Sequence, residues 1–70
     1  MIGYNDASDL INDFNLLGKR LEPQSLLNQL KVYRIFLEKG MIDLGGPKET
    51  SIAMAYVNEV IQGLEEDLGL

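Results

Sequence analysis

Seventy residues bound this chain to a single helical domain over residues 1–70, and a domain of that size removes only about 60% of its unfolded-state surface on folding, so self-association is expected. The chain holds neither cysteine nor histidine, which excludes disulfides, thiol and imidazole nucleophiles, the commonest general base and most transition-metal ligand sets, so neither an enzyme nor a cofactor is expected. Eleven carboxylates against six cations argue against a groove-filling DNA binder, no apolar run reaches the roughly 18 residues that span a bilayer, and the acidic N-terminal region lacks a secretory layout, so the expectation is a cytoplasmic protein without DNA or membrane contact.

Ala7, Leu10, Phe14, Leu17 and Leu21 recur every three or four positions and predict a first helix with one apolar stripe. Asn5 and Asp6 are its N-cap candidates. Asp6, Asp9 and Asp13 near its start, and Lys19 and Arg20 near its end, match the helix dipole. The aspartates lack the glycine turn and converging oxygens of a hard-cation loop, so no metal site is assigned. Tyr4 lies just before the helix, beside Gly3, outside any apolar period. It reads either as a surface aromatic over one end of the bundle or as a stacking platform for a nucleobase.

A second stripe runs through Leu26, Leu30, Tyr33 and Leu37, and the five-residue step from Leu21 breaks register at Pro23, where either a new helix starts or one long helix kinks. Gly40 suits the left-handed position after this helix, with Met41 folding back on the last turn. Val32, Ile35 and Phe36 make the helix apolar on more than one side, so its extra face is covered by the first helix or by another subunit. Lys31 and Arg34 share a face, and Arg34 is expected to pair with Glu38 one turn on. Residues Met41 to Gly46 read as a turn.

A third helix is predicted from Pro47 to Asp67, with Met54, Val57, Ile61, Leu64 and Leu68 on one stripe and with Glu65, Glu66 and Asp67 placed against the dipole at its end. The fold class is therefore all-α, a short N-terminal helix plus an antiparallel helical hairpin, assembling into a homo-oligomer. The start of this third helix, Gly-Gly-Pro-Lys-Glu-Thr-Ser, also suits an anion. Gly45 and Gly46 let the backbone approach a ligand, Pro47 has no N–H to lose, and the open N–H groups of the first turn stand beside Lys48, Thr50 and Ser51. Ordinary capping explains the same residues without a ligand.

The run Lys48-Glu49-Thr50-Ser51-Ile52-Ala53-Met54, followed by Val57, Glu59 and Val60, resembles the second hairpin helix of the phage anti-CBASS cyclic-nucleotide sponge family, where a basic residue and glutamate, one variable residue and Ser-Leu-Ala-Leu precede Leu-x-Glu-Ala. The hairpin of the phage anti-Thoeris sponges is similar. Ile2-Gly3-Tyr4, then Leu10-Ile11-Asn12-Asp13-Phe14, Gly18 and Leu21, resemble the family's Gly-Tyr-Arg opening and its Ile-Asn-x-Ile-Lys helix.

The resemblance implies a helical homo-oligomer, commonly a hexamer, that captures cyclic di- or trinucleotide signals of bacterial defence and holds them uncleaved. It makes Tyr4 a base-stacking residue and Lys48, in place of the family's arginine, a phosphate contact, with Glu49, Thr50 and Ser51 beside it. Asn5 stands where the family has arginine and Asn15 where it has lysine, and Lys19 one turn on is the substitute cation. Lysine keeps the charge of arginine but loses its bidentate fork. The rival expectation is a protein-interaction module, such as a secretion co-chaperone or an acidic phage inhibitor that presents helices to a host protein.

Overall fold

Asp6 ends an extended opening segment and starts the first helix in a computed structural model that describes residues 2–70. Its carboxylate accepts the Asp9 N–H at 3.0 Å, and the Asp9 carboxylate accepts the Asn5 N–H at 3.2 Å, so two donors at the start of helix α1 (Ala7–Arg20) are satisfied by side chains. Leu21 is extended and ends this helix; Glu22, also extended as the residue before a proline must tend to be, caps the next. Pro23 then takes the first position of helix α2 (Pro23–Glu38), where a missing N–H costs nothing. The register slip is thus a break between two helices.

Helix α2 ends as its sequence predicts. Gly40 is left-handed (φ 71°) and donates to the Leu37 carbonyl, while Met41 donates to the Phe36 carbonyl, which together satisfy two of the helix's last acceptors. The same arrangement closes helix α3 (Pro47–Asp67), with Gly69 donating to Glu66 and Leu70 to Glu65. At its other end α3 starts after Gly46, whose φ of 152° and ψ of 170° belong to a region that only glycine occupies comfortably.

The protein is all-helical, with one addition that its periodicity did not announce. Strand β1 (Ile2–Gly3) pairs in parallel with strand β2 (Ile42–Asp43), Ile2 opposite Ile42 and Gly3 opposite Asp43, and the Tyr4 N–H extends the pairing to the Asp43 carbonyl at 2.9 Å. The segment expected to be only a turn, Met41 to Gly46, therefore contains a strand and two buried side chains, Ile42 and Leu44. Because each strand feeds a helix and the strands run the same way, the starts of α1 and α3 lie at one end of the molecule.

Helices α2 and α3 share the most extensive interhelical contact, and α1 packs against both. Leu10 and Phe14 of α1, Leu27, Leu30 and Leu37 of α2, and Ala53, Val57 and Ile61 of α3 form the core with Ala7, Ile42 and Leu44. Leu27 rather than Leu26 is the fully buried member at the start of α2: both stand one turn before Leu30, and Leu26 lies half-buried near Gly18 of α1 while Leu27 enters the core. Leu68, placed on the α3 stripe by its spacing, lies at the C-cap and is exposed.

The polar pairings differ from expectation too. Arg34 donates to the Asn58 side chain of α3 rather than pairing with Glu38, and Lys31 meets Glu65 at 3.6 Å, the one ion pair among the described residues. Glu65, unfavourably placed for the dipole of its own helix, thereby gains a cation from α2. With both partners well exposed to solvent, this pair contributes at most about 1 kcal/mol.

Phe36 packs against the core, whereas Val32 and Ile35 point outward at 43% and 47% exposure. Helix α1 does not cover them. No described helix is long and apolar enough to cross a membrane.

Candidate functional site

Glu49 joins the two neighbouring helix starts. Standing in the first turn of α3, it accepts the Ala7 N–H of α1 at 3.1 Å through its Oε1. Asp43 accepts the Gly45 N–H at 2.9 Å and so shapes the loop that leads into α3. Gly45 is left-handed (φ 89°), and a Cβ there would stand 3.4 Å from the Asn5 carbonyl oxygen, so the two entry loops pass in close contact. This brings the backbone of Tyr4 and Asn5 beside Asp43 and Gly45, and Ala7 beside Glu49, while the Tyr4 side chain turns to Asp13 and Tyr33.

The donors at this end are unequally used. On α1, the N–H groups of Asn5, Ala7 and Asp9 go to carboxylates. On α3 there is no side-chain cap, Pro47 has no N–H, and the first backbone bond is Thr50 N–H to the Gly46 carbonyl. By helix geometry Lys48 and Glu49 N–H have no partner within the helix. Lys48 and Ser51 are exposed; the Thr50 hydroxyl donates to the Gly46 carbonyl at 3.1 Å and keeps its lone pairs for a further donor. Thr50 thus reinforces the helix start, and its hydroxyl has no second proton to give an anion.

Charge at this end is mixed. Lys48 is accompanied by the carboxylates of Asp6, Asp9, Asp43 and Glu49, each of which accepts a backbone N–H. Those bonds draw off part of the negative field, and a phosphate here would still face more anionic than cationic groups. A second cation is therefore needed for strong capture.

The remaining residues expected at the site lie elsewhere. Asn15 is exposed and its Oδ1 accepts the Tyr56 hydroxyl at 2.9 Å, tying α1 to α3. Lys19 is twelve residues beyond Ala7 on the same helix, about 18 Å along its axis. Within one chain Lys19 and Lys48 cannot grip the same phosphate.

Tyr4 is half-buried against the core, and its phenol neighbours Asp13 and Tyr33. Burial, and then the Asp13 carboxylate, push that phenol above its ordinary ionisation range. Beyond this cluster a cleft of about 190 Å³ opens between α1 and α2, lined by Asp13, Leu16, Leu17, Arg20 and Tyr33. Tyr33 is held edge-on by Phe14, with ring centroids 5.0 Å apart, and Phe14 in turn stacks on Tyr56 at 6.2 Å. Asp13, Arg20 and Tyr33 were not singled out as site residues from sequence. The signal available was the seven-residue spacing of Asp13 and Arg20, which puts them on one helix face.

Among the described residues no three His, Cys, Asp or Glu side chains group to hold a metal ion. Comparison with protein-family models, curated proteins and solved structures gives no match.

Proposed function

We propose that this protein is a phage-type sponge: a helical hairpin, formed by α2 and α3 with α1 as its N-terminal helix, that assembles as a homo-oligomer, a hexamer by the family resemblance, and sequesters cyclic di- or trinucleotide signals in the host cytoplasm without cleaving them. The observation that carries this reading is the β1/β2 pairing, which joins the Ile2-Gly3-Tyr4 segment to the segment leading into α3, so that the backbone entries to two blocks about forty positions apart run side by side. They are the two blocks on which the sequence resemblance rests. Tyr4 would stack on a base, Lys48 and the open N–H groups of α3 would meet a phosphate, and the Ser51 hydroxyl would complete the anion contact beside Thr50, whose own hydroxyl is spent on the Gly46 carbonyl. Lys19 of one copy would meet a ligand held by Lys48 of another, which supplies the second cation that the site lacks.

Calorimetric titration with cyclic di- and trinucleotides, joined to native mass spectrometry of the loaded protein, tests ligand and stoichiometry together. Binding is expected with intact ligand recovered after heat denaturation. Lys48→Ala should lower affinity at least tenfold while leaving stability within about 0.5 kcal/mol, as an exposed side chain predicts. Absence of binding by the assembled protein to every member of the panel overturns the reading.

The rival, a module that docks on a host protein, draws on the outward-facing Val32 and Ile35. On that reading Lys48→Ala changes nothing and Val32→Asp abolishes partner capture, whereas in a sponge Val32→Asp lowers the subunit number.

A further inference from the structure

The cleft between α1 and α2 joins a carboxylate, an apolar wall and a guanidinium in a line. Asp13 and Arg20 are two helical turns apart on α1, about 10 Å along its axis. That span is comparable with the reach from the hydrogen-bonding edge of a purine to the phosphate of the same nucleotide. Leu17 and Tyr33 supply apolar and aromatic surface between them, and Tyr33 is fixed by its edge contact with Phe14. Neither Asp13 nor Arg20 has an ion-pair partner among the described residues, and the hydrogen bond of the Tyr4 phenol to Asp13 leaves that carboxylate with acceptor sites for further donors. Tyr4, the residue proposed to stack, borders the same carboxylate.

We infer that this cleft reads a guanine base, with Asp13 accepting the ring N–H and the exocyclic amine, Tyr33 and Leu17 covering the base, and Arg20 meeting the phosphate. The inference rests on the nucleotide-binding reading above and adds to it a preference of base. A carboxylate matches guanine because both neighbouring groups on that edge donate. Against adenine the same carboxylate faces the lone pair of the ring nitrogen, so discrimination comes from a mismatch as well as from a match. Hydrogen bonds to a charged acceptor are strong enough to make the difference about tenfold or more.

The test pairs ligands of one ring size that differ only in base: cyclic di-GMP against cyclic di-AMP, and a guanine-containing cyclic trinucleotide against cyclic tri-adenylate, titrated into the full chain. The guanine member of a pair should bind at least tenfold tighter. Asp13→Asn, with helicity checked by circular dichroism, should erase that preference, because the amide offers a donor where guanine has one already. Arg20→Gln should weaken both members alike and flatten the dependence on salt. Equal affinity for both bases, or a preference that survives Asp13→Asn, overturns the inference and leaves the sponge reading standing. Binding of no nucleotide overturns both.

Discussion

The starts of α1 and α3 follow one plan forty positions apart: a two-residue strand, a side chain turned into the core, two loop residues, and a helix. Tyr4 and Leu44 correspond, as do Asp6 and Gly46 at the caps and Asp9 and Glu49 in the first turns. Their chemistry diverges. Asp6 and Asp9 close the α1 start on itself, and Glu49 turns away from its own helix to satisfy Ala7 on α1. The α3 start is left to two glycines and a proline and keeps donors open. One end of the molecule thus holds one helix start closed by side chains and another whose glycine cap leaves donors open.

The contrast can be broken most sharply at Gly46. Gly46→Ala should cost about 1 to 3 kcal/mol, because its φ and ψ lie where a Cβ is strained although nothing crowds it in space. A urea midpoint measures the loss, and a change under about 0.5 kcal/mol would mean that the loop relaxes around the new side chain. Glu49→Ala should cost about 1.5 kcal/mol, since it leaves the Ala7 N–H without its charged acceptor in a half-buried position. Asp6→Ala should cost about 1 kcal/mol and Asp6→Asn much less, as an N-cap that either side chain can serve. If Glu49→Ala proves harmless while Asp6→Ala does not, the two starts are independent rather than joined.

The smallest effect belongs to Tyr4. Its phenol is raised in the folded protein above its unfolded value, so the folded state holds the proton more tightly. The contribution is complete below the ordinary tyrosine value of about 10 and is lost progressively as the pH rises from there toward the raised value of the folded state. Tyr4→Phe should flatten that alkaline loss in denaturant midpoints taken across the range. A variant as pH-sensitive as the parent would place the titration at another group.

Much of this architecture was legible because long helices carry a period and their ends carry chemistry. Asp6, Pro23, Gly40 and Pro47 mark boundaries where they were expected, and Leu10, Phe14, Leu30, Val57 and Ile61 lie in the core. The β1/β2 pairing was not legible, since two-residue strands have no alternation to read and the pairing depends on a partner forty residues away. Leu27 displaced Leu26 because both stand one turn before Leu30 and only the packing of the neighbouring helices chooses between them. Arg34 found Asn58 across the helix interface, where a sequence window shows only Glu38. For the candidate site, Tyr4, Lys48, Thr50 and Ser51 could be named but not placed. The contact of the two entry loops, the distance of Lys19 and the Asp13 to Arg20 cleft belong to the packing of helices.

The parallel pairing at residues 2–3 and 42–43 also sets an order of assembly. Helices α2 and α3 are joined by a short link, whereas the pairing closes a loop of about forty residues, and its entropic cost must be met before its two strands return anything. The opening segment is therefore the last part to dock and the first to let go. Hydrogen exchange should find the Tyr4 amide, bonded to Asp43, less protected than the amide of Leu30 in the middle of α2. A ligand that bridges Tyr4 and Lys48 would lock that segment in place, so slowed exchange at Tyr4 would report occupancy from a backbone position that need not touch the ligand.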